Sequence, residues 1–389
     1  MSERASAPFI YIVAGEPSGD VLGGRLMAAL KEKTPGVRFA GIGGERMAAE
    51  GLASLVPLRD LAVMGFLEVL PHARKILRRI RETVADIEAK RPDIVVTIDS
   101  SGFTWRVARR LRGNGTKIPL VHYVAPMVWA WRAGRAREIA QRYDKLLALL
   151  PFEPPYFEKE GLACAYVGHP VIESGADRGD GAAFRAKHGI AADAPLLTML
   201  PGSRRSEVKR LLPIFGATAA LLARKHPSLR IVVPTVATVS ESVREAALSW
   251  PGAPLIVEGE AERFAAFAAS DVALAASGTV SLELAMAGLP SIITYRLNPL
   301  TLRVVRRMVR IEYANLVNLL LGREAVPEFV KNDGSPEVLA HAVGALLDDV
   351  GAREAQRSAY DDAMRKLGRG QMKPSARAAD EILAMIAER

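Results

Sequence analysis

Four short stretches combine residue types that can do chemistry. In Asp99-Ser100-Ser101-Gly102 an apolar run ends on a carboxylate, followed by small and hydroxyl-bearing residues. A carboxylate at the end of a buried strand can act as a general base once desolvation lifts its pKa, and it can equally be the N-cap of the helix that follows. Pro201-Gly202-Ser203-Arg204 is a tight turn between an apolar run and a helical pattern. Backbone N–H groups and the helix dipole there face any anion, and Arg204 adds a planar fork suited to phosphate oxygens. The alternative is a helix capped by Ser203 with solvated arginines. Ser277-Gly278-Thr279 repeats the strand, small turn and helix, with Glu283 about one turn beyond Thr279. A carboxylate so placed can accept from both hydroxyls of a ribose, or it can be an ordinary first-turn acid. Two anion-ready loops on one sheet imply a nucleoside diphosphate. The loop Glu16-Pro17-Ser18-Gly19-Asp20 leaves the same choice, between a place at the cleft and a helix cap at Ser18, with Gly19 admitting close approach.

These stretches need elements to hold them. Short β-rich runs at 9–15, 37–43, 93–99, 120–125, 145–150 and 165–168 alternate with helical patterns such as 73–90 and 105–111. Runs at 195–200, 229–234, 255–258, 271–276 and 291–295 continue the alternation. The expected fold class is therefore α/β, with two doubly wound, Rossmann-like domains facing a cleft, and ligands beyond the carboxyl ends of the strands. The polar, glycine-rich stretch 173–182 reads as a linker. The domains expected are 1–172 and 183–365, with a closing helix at 366–389 packing back on the first.

Composition narrows the function. Apolar residues make up 49% of the 389 and charged residues 24%, the balance of a globular chain. A single cysteine, Cys164, excludes an internal disulfide framework and a cysteine-based zinc site, and suits a reducing compartment. No long uncharged apolar run and no leader pattern occur, so neither a membrane span nor a signal peptide is expected. There is no Gly-Lys dipeptide for a phosphate-binding loop, no His-Glu-x-x-His, no Gly-x-Ser-x-Gly and no Asp-x-Asp. Arg46 stands where a dinucleotide fingerprint would need its third glycine after Gly41 and Gly43. No cofactor and no metal are expected.

The chain carries 52 Lys and Arg against 43 Asp and Glu, a net +9. The excess concentrates on two amphipathic patterns, one bearing Arg74, Lys75, Arg78, Arg79 and Arg81, the other Arg303, Arg306, Arg307 and Arg310. Each reads as a solvated face over a core or as a contact with an anionic membrane surface. With aromatics at 6% and no recognition module, no nucleic-acid partner is expected.

Taken in order, these motifs resemble the lipid-A-disaccharide synthase family, inverting glycosyltransferases of the two-Rossmann-domain (GT-B) type. The resemblance runs nearly end to end, through Gly15 to Asp20, Gly41-Ile42-Gly43-Gly44 with Arg46-Met47, Val63-Met64-Gly65 and Val128-Trp129-Ala130-Trp131-Arg132. It continues through Pro151-Phe152-Glu153, Val167-Gly168-His169-Pro170, Leu200 to Arg204, Ser277 to Thr279 with Glu283, and Asn318 with Gly322-Arg323. It implies transfer of 2,3-diacylglucosamine from UDP-2,3-diacylglucosamine to the 6-hydroxyl of 2,3-diacylglucosamine 1-phosphate. Asp99 would be the base, and Gly202, Ser203, Arg204, Ser277, Gly278, Thr279 and Glu283 would hold UDP. Glu16, Ser18, Gly19, Asp20 and Asn318 would stand at the acceptor or cleft. The family role implies a cytoplasmic enzyme, peripheral at the inner face of the cytoplasmic membrane. The chain departs from the family pattern at Ser101, Gly102 and Thr104 after the base, and at Met127 and Lys331. Other UDP-sugar transferases or epimerases share the UDP loops but not the pieces at 16–20 and 129–131, and a non-catalytic nucleotide-binding membrane-surface protein would share the fold and the basic helices.

Overall fold

The computed structural model describes residues 7–61, 66–131, 134–296, 312–330 and 334–388. Contacts divide the chain into one unit of Met1–Pro170 with Gly370–Arg389, and another of Val171–Arg369.

In the first unit the apolar runs become β1 (Phe9–Ala14), β2 (Arg38–Ile42), β3 (Ile94–Ile98), β4 (Leu120–Tyr123), β5 (Lys145–Ala148) and β6 (Ala163–Tyr166). All pair in parallel, in the order β2-β1-β3-β4-β5-β6. Both faces are covered, as the uninterrupted burial of β1 and β3 requires. Tyr11, Val13 and Val95 pack with Ile80, Val84 and Ile87 of the helix Phe66–Lys90 and with Phe103, Val107 and Leu111 of the helix Ser101–Gly113. The alternate residues Ile10, Ile12, Ala14, Ile94 and Val96 pack with Leu22, Leu26 and Leu30 of the helix Pro17–Lys33 and with Ala378 and Ile382 of the closing helix. That closing helix, Pro374–Ala387, is tied down by Arg377 donating to the Tyr166 carbonyl at 2.7 Å and by Lys33–Asp380 at 2.8 Å.

The second unit holds β7 (Leu196–Leu200), β8 (Arg230–Thr235), β9 (Leu255–Glu258), β10 (Val272–Ala276), β11 (Ser291–Thr294) and β12 (Glu328–Phe329). The order is β12-β11-β10-β7-β8-β9, again parallel throughout. The two-residue β12 is too short to show a period-2 pattern and was not expected. Each sheet has one topological switch point, between β1 and β3 in the first and between β7 and β10 in the second. All four chemistry-bearing loops follow those strands, which is where such sheets bind ligands.

The stretch 173–182 is not a linker. It begins the second unit, and a Cβ at Gly179 or Gly181 would stand 2.0 Å from the Phe264 carbonyl oxygen or 2.4 Å from that of Ala268. Its glycines allow close packing on the helix Glu260–Ala269; composition alone does not separate that use from flexibility. The division accordingly falls after Pro170, and the second unit runs on to Arg369 through the helix Val350–Lys366, whose Gln356 and Tyr360 bond Ser291 at the start of β11.

Candidate active site

At the first switch point the backbone is strained. Asp99 and Ser100 lie in the left-handed region at φ +49° and +46°, and Val124, just beyond β4, lies at +86°. Such residues cost about 1–3 kcal/mol each and concentrate where a fold holds functional groups. Ser100 fits because residue 15 is glycine, since a Cβ there would stand 2.3 Å from the Ser100 hydroxyl oxygen. The Asp99 N–H donates to the Tyr123 carbonyl at 3.0 Å, and its own carbonyl accepts from the Thr104 hydroxyl at 2.7 Å. Thr104, one of the departures, thus braces the turn.

The cap alternative for Asp99 fails. Ser100 occupies the N-cap position of the helix Ser101–Gly113, and the Asp99 carboxylate accepts only the Ser100 N–H, through Oδ1 at 2.7 Å. Oδ2 takes no hydrogen bond from the described residues, and the group is half-buried.

The neighbouring loop divides. Glu16 holds the cap position of the helix Pro17–Lys33, so Ser18, exposed in the first turn, is not the cap. Gly19 backs onto the Ile98 carbonyl and the Ala14 Cβ and serves helix–strand packing. Asp20 is a staple and not a cleft residue: it is 5% exposed, and it accepts from the N–H groups of Gly44 at 2.6 Å, Arg46 at 3.0 Å and Met47 at 3.1 Å. Asn318 is likewise structural. It is fully buried in the second unit, donating to the Val326 carbonyl and accepting from the N–H groups of Ala325 and Val326.

Two tryptophan contacts stiffen the first unit. Trp105 Nε1 donates to His122 Nε2 at 3.3 Å, so the His122 proton resides on Nδ1, facing the Thr97 hydroxyl at 2.8 Å. Burial pushes the His122 imidazole down to about 3, which keeps it neutral. Trp129 Nε1 donates to Glu153 Oε1 at 3.1 Å, while Oε2 accepts from the N–H groups of Leu149 and Leu150. Glu153 is 2% exposed, and burial lifts its carboxyl from the usual 4.5 to about 7 in spite of these donors.

A carboxyl whose folded pKa is raised contributes stability that is full below its unfolded pKa and is lost as pH rises through the folded value. Between pH 4.5 and 7 this group should remove about 3 kcal/mol of unfolding free energy. Urea unfolding should show that decline in the wild type and not in Glu153→Gln. Parallel pH profiles of the two proteins would place the proton elsewhere.

At the second switch point, the loops after β7 and β10 enclose a cavity of about 190 Å³ lined by Gly202, Ser203, Ser277, Gly278, Thr279 and Glu283, which the sequence singled out, and by Thr235, Glu207 and Arg263, which it did not. Arg263, on the helix Glu260–Ala269, donates to Glu283 at 3.2 Å. Just after Glu260 and Glu262 it reads in sequence as one more solvated charge; only the sheet order brings it over the β10 loop. Arg204 is the N-cap residue of the helix Arg205–Lys225, exposed and outside the lining, so the Ser203 cap alternative fails as well.

Two lining atoms, Arg263 Nε and Thr235 Oγ1, are buried without a hydrogen-bond partner among the described residues. An unmade bond on a buried donor or acceptor costs about 1–3 kcal/mol, so both call for a polar ligand. Burial raises the pKa of Glu283, against the lowering effect of Arg263, and raises that of Glu207, which accepts the Ser203 N–H at 3.3 Å. The cavity thus offers hydroxyl-accepting carboxylates beside a cation and two turns of backbone N–H groups.

On the helix Phe66–Lys90, Lys75 pairs with Asp60 at 2.7 Å, Arg79 with Asp60 at 2.6 Å and with Glu82 at 2.7 Å, and Arg78 with Glu82 at 2.7 Å. Arg74 and Arg81 are exposed and make no ion pair with the described residues. Arg303, Arg306, Arg307 and Arg310, together with 63–65, Arg132 and Lys331 of the motif series, lie outside the described residues.

A family model described as lipid-A-disaccharide synthetase matches residues 10–383. The lipid-A-disaccharide synthase of Rhodospirillum centenum is 55% identical over 381 residues, covering 98% of this chain and 95% of the relative. That of Gluconobacter oxydans is 46% identical over 379 residues, covering 97% and 91%. Among solved structures, a UDP-GlcNAc 2-epimerase from Neisseria meningitidis bound to UDP-GlcNAc aligns with a TM-score of 0.63 at 14% identity, covering 98% of this chain and all of that one. An S. aureus MnaA–UDP co-structure aligns at 0.64 and 16% identity, covering 97% and 95%. Both are likenesses of fold.

Proposed function

The chain belongs to the lipid-A-disaccharide synthetase family and is a glycosyltransferase of lipid A biosynthesis, and we propose that it moves 2,3-diacylglucosamine from UDP to the 6-hydroxyl of 2,3-diacylglucosamine 1-phosphate. The observation that supports this chemistry is the half-buried Asp99, held by a strained turn at a switch point with one carboxylate oxygen unengaged among the described residues. That oxygen takes the proton of the acceptor hydroxyl as its oxygen attacks the anomeric carbon. The bond from that carbon to the diphosphate breaks on the opposite face, the centre inverts, and UDP leaves with the electron pair. The turns at 201–204 and 277–279, with Arg263 in the cavity and Arg204 at its helix cap, stabilise the departing charge by preoriented dipoles and fixed cations. Glu283 accepts from the ribose hydroxyls.

The test supplies UDP-2,3-diacylglucosamine and the monosaccharide 1-phosphate and looks for UDP and a disaccharide, with and without EDTA. Equal turnover in both is expected, since the charge-stabilising groups are the protein's own. Mg²⁺-restorable loss in EDTA would overturn that assignment, and UDP-sugar epimerisation without transfer would overturn the reaction.

Both substrates carry acyl chains, so we place the protein at the cytoplasmic face of the membrane as a peripheral enzyme. No helix among the described residues is long and apolar enough to cross a bilayer. The contact assigned is the helix Phe66–Lys90, where Leu77, 50% exposed, stands between Arg74 and Arg78. The basic residues at 303–310 are proposed as a further contact with an anionic membrane. A basic residue near an anionic surface contributes about 1 kcal/mol. Arg74→Glu with Arg81→Glu, which breaks none of the ion pairs above, should lower binding to phosphatidylglycerol vesicles about thirtyfold or more at low salt. Raised salt should weaken the wild type too, through screening. Sedimentation that is equally weak for both proteins and indifferent to salt would withdraw the membrane assignment for this helix.

A further inference from the structure

A second cavity, of about 480 Å³, lies wholly within the first unit, between the helix Ser101–Gly113 and the helix Arg135–Ala140. Arg106, Arg109, Arg135 and Arg142 line it, with Glu138 the one acid among the described lining residues, pairing with Arg142 at 3.3 Å. Among the described residues Arg106 and Arg109 make no ion pair, and like charges gathered at one cavity repel unless an anion sits among them.

The arrangement is built and not merely solvated. Trp105, 7% exposed, forms one wall, locked by its hydrogen bond to the neutral His122. The guanidinium of Arg135 stands 5.4 Å from the Trp105 ring and 5.2 Å from the Trp131 ring, and that of Arg142 stands 5.9 Å from Trp105. Stacked guanidinium groups are held in place, so they lose little freedom when they bind an anion. Arg106 folds back along its helix to the Gly102 carbonyl, and Arg109, one turn further on, is exposed and has no ion-pair partner among the described residues. The lining begins at Ser101 and Gly102, two residues after Asp99 in the chain.

We propose that this arginine-lined cavity binds the anomeric phosphate of the acceptor sugar. The inference rests on the reaction proposed above and adds to it the part of the first unit that recognises the acceptor. A phosphate monoester is the ligand that matches the lining, because forked guanidinium groups meet its oxygens pairwise. The position suits it too. In a hexopyranose the anomeric carbon and the carbon bearing C6 both flank the ring oxygen, so the phosphate and the 6-hydroxyl leave one edge of a rigid ring. A phosphate among the arginines and a hydroxyl at Asp99 are then set by a single sugar. Arg106 and Arg109 act as binding residues for the acceptor, with no part in proton transfer.

Phosphate chemistry could also come from a phospholipid headgroup, and the experiment separates the two sources. Arg106→Gln with Arg109→Gln should raise the KM for 2,3-diacylglucosamine 1-phosphate about thirtyfold or more, with UDP affinity unchanged. On 2,3-diacylglucosamine lacking the phosphate, wild type and variant should be equally poor. Glucosamine 1-phosphate, titrated calorimetrically, should bind the wild type and lose that binding in the variant, while glucosamine binds neither. An unchanged KM, or equal losses on both acceptors, overturns the proposal. If the variant keeps its KM but loses phosphatidylglycerol vesicles relative to phosphatidylcholine, the cavity is a headgroup site and the acceptor assignment falls. A wild type that makes no disaccharide but binds glucosamine 1-phosphate through these arginines would sink the reaction and leave the cavity's ligand standing.

Discussion

Asp99→Asn is expected to lower turnover by a factor of about 10² to 10⁴ while leaving UDP affinity and the folded state near wild type. Asparagine can keep the geometry: it tolerates the left-handed backbone at φ +49°, and its carbonyl oxygen can still accept the Ser100 N–H. What it loses is the capacity to take a proton at the oxygen that the turn leaves unengaged. The UDP cavity belongs to the other unit, so UDP titration serves as the control for folding and nucleotide binding. Turnover within threefold of wild type would reduce Asp99 to a residue that shapes the strand end.

The second large effect concerns the cation of the UDP cavity. Arg263→Ala is expected to weaken UDP binding roughly ten- to a hundredfold, the range of a charge-assisted hydrogen bond. Arg204→Ala, removing an exposed side chain outside the lining, should cost UDP affinity less, about fivefold or below. Arg263 also partners the half-buried Glu283, so its loss has a structural component. The melting temperature without UDP reads that component, and the shift on adding UDP reads the binding. A larger loss of affinity for Arg204→Ala than for Arg263→Ala would return the principal phosphate cation to the loop after β7.

Particular residues show where sequence reasoning reaches. The loops after β3, β7 and β10 were legible because each joins an apolar run to a helical pattern through small residues, a local signal that needs no knowledge of the fold. Asp20 and Asn318 were misread for a physical reason. A carboxylate or amide in a short motif looks the same whether it faces a ligand or backbone polar groups, and burial tells the two apart. The glycines of 173–182 failed in the same way, since composition does not distinguish close approach from flexibility.

By itself the sequence determined the α/β class, the parallel strands, the family and the identity of the strand-end carboxylate. Each of these is carried by local periodicity or by the order of short motifs, and survives in one dimension. Only the tertiary structure decided which strands flank the switch points, that Arg263 and Thr235 join the cavity beside Glu283, and that arginines from two helices and the turn after the second share one cavity with Trp105. Those facts depend on crossover connections that bring residues tens of positions apart into contact. A charge acquires its chemistry from its neighbours in space, and the chain order of a doubly wound sheet does not reveal them until the strands are paired.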